Sequence, residues 1–233
     1  MDHSIAARIA ILGGTGPQGR GIGYRLARAG YAVVLGSRDQ ARGTEVAAEL
    51  AALPGASAGT LCGTTNRAAV QAADVVVVAV PYDGHAALLT ELAGDLAGKL
   101  VVDCVNPLGF DKLGPFGLAV EAGSAAEEAA ALLPDSTVTG AFHHLAAPLL
   151  LDPDIDLSHE DVLVCGDDRA AKERVIRLAE AVTGGRGLDA GRLRLARQLE
   201  PLTAVLISVN KRYRTRAGVA LTGLFDLPQE ESA

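Results

Sequence analysis

The chain has 233 residues, 49% of them apolar, and a formal net charge of −7. That length suits one large or two small domains with enough apolar content to bury a core. The negative balance argues against nucleic acid as a partner, because counterion release needs a basic surface.

Residues 8 to 12, Arg-Ile-Ala-Ile-Leu, read as a strand that leads into Gly14-Thr15-Gly16-Pro17-Gln18-Gly19, and a helix is predicted from Gln18 to Ala29. A strand, a G-x-G-x-x-G loop and a helix in that order grip the pyrophosphate of a dinucleotide. Gly14 permits the tight turn, Gly16 lets backbone approach the phosphates, and Gly19 lets the helix pack close. The free N–H groups and positive dipole end of the helix face the anion. Tyr31 to Leu35 reads as the second strand, ending in Gly36-Ser37-Arg38. An NAD site would place Asp or Glu there, and none is present. Ser37 offers a hydroxyl, Arg38 a fork for phosphate oxygens, and Arg42 a second cation one helical turn on, so the reading is NADP(H). The alternative is that Arg38 and Arg42 are solvated residues at a helix start that Asp39 caps unaided.

A helix is predicted from Asp39 to Ala52, closed by Pro54-Gly55. Val75 to Val80 has no polar alternation, as a parallel strand covered on both faces requires, and it is too short to span a bilayer. Gly84 to Leu96 reads as helix, Leu100 to Asp103 as strand, Ser124 to Leu133 as helix and Ser136 to Ala141 as strand. The class is α/β, a Rossmann-type doubly wound parallel sheet whose ligands sit beyond the carboxyl ends of the strands.

Those ends carry Tyr82, Asn106 and the pair His143-His144. Tyr82 either covers the nicotinamide or ribose side of the cofactor or is ordinary packing. Asn106, held extended by Pro107, either presents its amide to a ligand or simply makes a turn. Adjacent histidines on an extended segment point to opposite sides, so one faces the crevice and the other the protein behind. With no third ligand at usable spacing, no metal site is expected. The crevice-facing histidine either serves as a general acid or base, since imidazole titrates near neutrality, or is a neutral ring that hydrogen-bonds or stacks on a flat ligand, the latter being expected.

Past residue 150, Asp152, Asp154 and Asp156 alternate, but Leu157 and Leu163 stand where a calcium loop needs Gly and Glu, so a solvated linker is expected. Asp161 to Cys165 reads as a strand. Ala171, Val175, Leu178, Ala179 and Val182 recur at helical spacing, as do Leu195, Leu199, Leu202, Leu206 and Val209, with a kink or start at Pro201. The expected division is an NADP-binding domain over 1–148 and a small C-terminal α+β domain over 149–233 that closes over the crevice. Cys62, Cys104 and Cys165 lack any metal or redox spacing and read as buried free thiols. With no leader pattern in Met1 to Ala7, they place the chain in the cytoplasm.

Gly13-Gly14-Thr15-Gly16, Gly36-Ser37-Arg38, Asn106-Pro107, Ala141-Phe142-His143, Val164-Cys165-Gly166-Asp167-Asp168, Leu188-Asp189-Ala190-Gly191, and Arg197 with Glu200 and Leu202-Thr203 together resemble the NADPH-dependent coenzyme F420 reductases. These are also called 8-hydroxy-5-deazaflavin:NADPH oxidoreductases. The resemblance runs from near residue 8 to near residue 224. It implies direct hydride transfer between NADP(H) and the deazaflavin F420 as co-substrate. It places the pyrophosphate on Thr15, Gly16, Pro17 and Gln18, and the 2′-phosphate on Ser37, Arg38 and Arg42. Tyr82 comes near the nicotinamide and His143 near the deazaflavin, with Ala147 on the same mouth segment. The chain departs from the pattern at Arg42, where archaeal members tend to carry lysine, at Tyr82, where tryptophan is familiar, and in the acidic loop over 152–161.

Such a reaction needs no nucleophile, only two rings held in near-attack geometry away from water. Lys211, Arg212, Arg214 and Arg216, with Arg192 and Arg194, either attract the acidic tail of the deazaflavin or complement a helix dipole. Two other functions fit the same residues: a reductase of a flavin, ferric chelate or imine, and an NADP(H)-binding redox sensor without turnover. The apolar helices after residue 190 fit a homodimer or burial within the cap.

Overall fold

The computed structural model describes residues 7–56 and 59–224, so Met1 to Ala6, read above for a leader, lie outside the described residues. The first half alternates strand and helix: β1 (Ile9–Leu12), α1 (Pro17–Arg28), β2 (Val33–Ser37), α2 (Gln40–Ala51), β3 (Leu61–Thr65), α3 (Asn66–Gln71) and β4 (Val75–Val78). A 3-10 turn over Tyr82–Gly84 precedes α4 (His85–Leu96), and β5 (Leu100–Asp103) follows. A hairpin, β6 (Leu108–Asp111) and β7 (Gly114–Gly117), precedes α5 (Ala125–Leu132) and β8 (Thr137–Gly140). Then come α6 (Ala147–Leu150), β9 (Val162–Gly166), α7 (Arg169–Thr183), β10 (Gly187–Asp189) and α8 (Ala196–Tyr213).

The main sheet runs β10-β9-β8-β5-β4-β1-β2-β3. From β3 to β8 every pairing is parallel, with Ile11 opposite both Leu35 and Val77. This is the doubly wound order, whose switch point lies between β1 and β4. Alternation along each strand divides the core into two layers. Ile9, Ile11, Val33, Leu35, Val75 and Val77 pack with α1, α2 and α7. Ala10, Leu12, Val34, Val76 and Val78 pack with α3, α4 and α5. Because β4 is paired on both edges and covered on both faces, only a run such as Val75-Val76-Val77-Val78 suits it. The strand stops two residues short of Val80; Ala79 still donates its N–H to the Leu12 carbonyl at 3.0 Å, and Ala79 and Val80 wall a cleft. Asp39 accepts Arg42 N–H at 3.0 Å and so caps α2, Ser124 caps α5, and Asp168 caps α7.

Past residue 148 the chain supplies β9, antiparallel to β8, and β10, parallel to β9, to the edge of the same sheet. The 152–161 loop keeps Asp152, Asp154 and Asp156 exposed, as a solvated linker does, but its backbone is tied to the fold. Buried Arg25 donates to the carbonyls of Leu149, Leu150, Asp152 and Ile155, Arg28 donates to that of Pro153, and Asp161 makes a two-pronged ion pair with Arg186. The β6–β7 hairpin has no counterpart in the sequence reading, its glycines and proline having masked any alternation. It lies against α8, where a Cβ on Gly117 would come within 2.8 Å of Pro201. α8 runs from Ala196 to Tyr213 with Pro201 inside it, so the helix does not start at the proline. Cys104 and Cys165 are buried, but Cys62 is exposed, because β3 is an edge strand with one face toward solvent.

Candidate functional site

A cleft of about 630 Å³ opens at the switch point, lined by residues of the β1–α1 loop, the β2 end, Asn66, and the Ala79–Gly84 segment with Leu88. The β1–α1 loop is built from glycines for steric reasons. The positive φ falls at Gly13 (+71°), one residue before the expected turn glycine, and a Cβ there would lie 2.6 Å from the Ala79 carbonyl oxygen. A Cβ on Gly19 would lie 2.5 Å from the Gly13 carbonyl oxygen, so the helix can approach the loop only without a side chain. Gly16 differs: a Cβ there meets only the Gly13 oxygen at 3.3 Å, leaving its other side open to the cleft. No side chain caps the start of α1, and Pro17 occupies its first turn. An uncapped twelve-residue helix facing a cleft is a site for an anion.

Ser37, Arg38 and Arg42 line the cleft together. The Ser37 hydroxyl accepts the Asp39 N–H at 3.2 Å, which leaves its own proton to donate. Arg38 is exposed and makes no ion pair among the described residues. Arg42 pairs with Glu45 at 2.5 Å, and that pairing raises its pKa. Asn66 was not singled out from the sequence. It is 92% buried by its 8% exposure, lines the cleft, and has an Oδ1 without a hydrogen-bond partner. Its one sequence signal is position, the first residue after β3.

A second group of expected residues meets beyond the β5 and β8 ends. Gln18 Nε2 donates to the Phe142 carbonyl at 3.3 Å, tying α1 to the segment after β8. The Asn106 amide donates to the His143 carbonyl at 2.7 Å, and Thr203 of α8 donates to the same carbonyl at 2.7 Å. Ala147 opens α6, half-buried, on the same segment. His143 and His144 are not on an extended segment: Phe142 has φ +65° and both histidines sit in the turn that follows. Both are consequently buried. His144 bonds the Asp161 carbonyl at 2.7 Å, while neither ring nitrogen of His143 closes a hydrogen bond. Burial drives the His143 pKa down to about 4, with Asp103 opposing, so its ring is neutral near pH 7.

Tyr82 is not among the cleft-lining residues. Its hydroxyl points to Glu128 on α5 at 3.4 Å, and Pro81, Asp83 and Gly84 line the cleft instead. Arg192 and Arg194 line a separate depression with Glu127, Ala130, Asp167 and Leu193, where Arg192 lies 3.6 Å from Asp167. Lys211 and Arg212 occupy the exposed last turn of α8, and Arg214 is its left-handed C-cap. Among the described residues no group of three or more His, Cys, Asp or Glu could hold a metal ion.

Residues 8–107 match the family model for the NADP oxidoreductase, coenzyme F420-dependent. The F420-dependent NADP reductase of Methanothermobacter thermautotrophicus is 35% identical over 99% of this chain and 100% of its own length. That of Methanocaldococcus jannaschii is 36% identical over 93% of this chain and 99% of its own. The chain belongs to the F420-dependent NADP reductase family. A crystal structure of a proposed F420-dependent NADP reductase from Arthrobacter sp. FB24 superposes with a TM-score of 0.77 at 29% identity, covering 92% of this chain and 99% of that one. Rat metalloreductase STEAP3 is 34% identical over 87% of this chain, but the match spans only 37% of that protein. The full-length agreement therefore lies with the F420-dependent NADP reductases, an oxidoreductase family whose redox pair is NADP(H) and F420. No helix among the described residues is long and apolar enough to cross a membrane.

Proposed function

We propose that the cleft binds NADP(H) and that hydride passes directly between it and F420 seated at the Gln18, Asn106 and Phe142–Ala147 mouth. Full-length similarity carries the choice of redox pair, and the cleft carries the nucleotide. The start of α1 and the bare face of Gly16 take the pyrophosphate, and Ser37 and Arg38 take the 2′-phosphate. Arg42 shares its charge between that phosphate and Glu45. The unpaired Asn66 oxygen accepts a donor from the adenosine end, since a buried acceptor without a partner costs free energy until one arrives.

NADPH when bound supplies the hydride that carbon 5 of the deazaflavin accepts, and a proton from solvent completes the reduced coenzyme. The protein's part is geometric. Asn106 and Thr203 fix the His143 carbonyl from two sides and Gln18 fixes that of Phe142, so the mouth is held by β5, α8 and α1 at once. Neutral His143 shapes this floor without adding charge beside the transferring hydride. Lys211, Arg212, Arg214 and Arg216 attract the acidic tail. The exposed Val205 of α8 and Phe110, Leu113 and Phe116 of the hairpin form the face by which two copies associate. Free, buried Cys104 and Cys165 suit a reducing cytoplasm.

The test is to mix purified protein with NADPH and oxidised F420 and follow the visible band that gives the coenzyme its number. Bleaching supports the reading. Tight NADPH binding with no bleaching would leave a sensor and remove the enzyme.

A further inference from the structure

His85 opens α4 immediately after the turn whose Pro81, Asp83 and Gly84 line the cleft. Its side chain is fully buried, and each ring nitrogen faces a carboxylate. Nε2 lies 2.7 Å from Asp103 Oδ2, and Nδ1 lies 2.9 Å from Glu128 Oε2. A neutral imidazole has one N–H and one lone pair, so one carboxylate would then meet a lone pair. Only the imidazolium donates to both. The two carboxylates outweigh the burial that opposes them, and the His85 pKa rises to about 8.

Both carboxylates reach further. Asp103, fully buried at the end of β5, accepts the Val105 N–H on its other oxygen at 3.0 Å, next to Asn106 at the crevice mouth. Glu128 takes the Tyr82 hydroxyl on its other oxygen, and the Tyr82 and His85 rings lie 6.1 Å apart. The other groups facing this cluster are Glu200 of α8, whose carboxyl feels the charges of Asp103 and His85, the buried Cys104 thiol beside Asp103, and the neutral ring of His143, near Asp103. α3 presents Arg67, but it is held by Glu91 and Asp95 farther along α4. The cleft wall, the β5 end and α5 thus converge on one cation.

Resting on the reading of the cleft as the NADP(H) site, we propose that His85 is a positioning residue. As a buried imidazolium clamped between Asp103 and Glu128, it fixes the Pro81–Gly84 wall against the Val105–Asn106 loop, so that cofactor affinity depends on its protonation. Loss of the proton sets a lone pair against a carboxylate. Glu128, whose side chain is 25% exposed, is the partner able to turn to solvent, and Tyr82 and the turn loosen with it. His85 lies behind the turn that lines the cleft, so the effect falls on Kd and KM for NADP(H) and much less on kcat.

The experiment has two readouts on the full chain. The first is nitrogen NMR of histidine-labelled protein without cofactor, in which both His85 ring nitrogens are expected to carry protons at pH 6.5. The second is the Kd for NADPH by fluorescence titration, expected to rise several-fold between pH 7 and pH 9. His85→Gln should bind several-fold more weakly at pH 7 and lose that rise. If His85→Gln fails to fold, Glu128→Gln carries the test, because removing one carboxylate should move the rise to lower pH. A single protonated ring nitrogen at pH 6.5, or the same pH profile in wild type and variant, would overturn the proposal. Absence of NADPH binding at every pH beside an intact imidazolium signal would instead remove the cleft reading, and the clamp's role with it.

Discussion

In the dinucleotide cleft the polar groups stand open: the start of α1 is uncapped, Arg38 has no ion pair among the described residues, and Asn66 Oδ1 has no partner. In the cluster behind it, polar groups satisfy one another. His85 sits between Asp103 and Glu128, and Glu200 accepts the Ala125 and Ala126 N–H groups at the head of α5. The two regions share one edge of the sheet and differ in what they wait for. Unpaired groups are completed by a ligand, whereas mutually paired buried groups hold a wall in place.

The contrast breaks most severely at Gly13. Gly13→Val adds a left-handed strain of about 1–2 kcal/mol and a clash with the Ala79 oxygen worth about as much again. NADPH binding should fall about a hundredfold by titration and the melting temperature should drop. Unchanged binding would show that the loop does not need its glycine. Next comes Ser37→Glu with Arg38→Ala, which removes charge-assisted bonds worth about 1.5–3 kcal/mol. KM for NADPH should rise about tenfold to a hundredfold while use of NADH is spared, and equal losses would contradict the 2′-phosphate assignment.

The buried cluster gives a stability signal of its own. The folded His85 pKa stands above its ordinary 6.5, so its stabilisation is complete below 6.5 and is lost as pH rises through about 8, about 2 kcal/mol in all. Burial pushes Glu200 up to about 8 as well, against the pull of its two N–H donors, and its contribution declines in the same direction. Denaturant midpoints should therefore fall between pH 6.5 and about 8.5. A midpoint that rises across this window would contradict the charge state assigned to His85. A smaller effect is expected at Asn66→Ala, about 1 kcal/mol of NADPH affinity from one lost acceptor. Smallest is replacement of Lys211, Arg212, Arg214 and Arg216 by Gln, a few-fold rise in KM for F420 that high salt abolishes.

The same contrast explains what the sequence discloses. The glycine loop, Ser37-Arg38 and the valine run act through neighbours a few residues away and through a backbone period, so each is visible in one stretch of chain. His85, Asp103, Glu128 and Glu200 come together only once α4, β5, α5 and α8 are folded, and nothing in the local context of any one of them names the other three. Asn66 lies between: its place after β3 is legible, but its unpaired oxygen is not. The turn at Phe142 hides for a different reason, since a positive φ on a non-glycine residue is set by surrounding packing. The histidine pair lies in that turn although its neighbours in sequence suggest an extended segment. The anchoring of the acidic loop is hidden because its partners, Arg25 and Arg28, precede it by more than a hundred residues.

Direct passage of hydride from the cleft to the mouth is tested most closely by a single turnover with NADPH carrying deuterium at both positions of nicotinamide carbon 4, in ordinary water. The expected result is one deuterium on carbon 5 of the reduced deazaflavin. Reduced coenzyme carrying only solvent hydrogen at that carbon would contradict direct transfer.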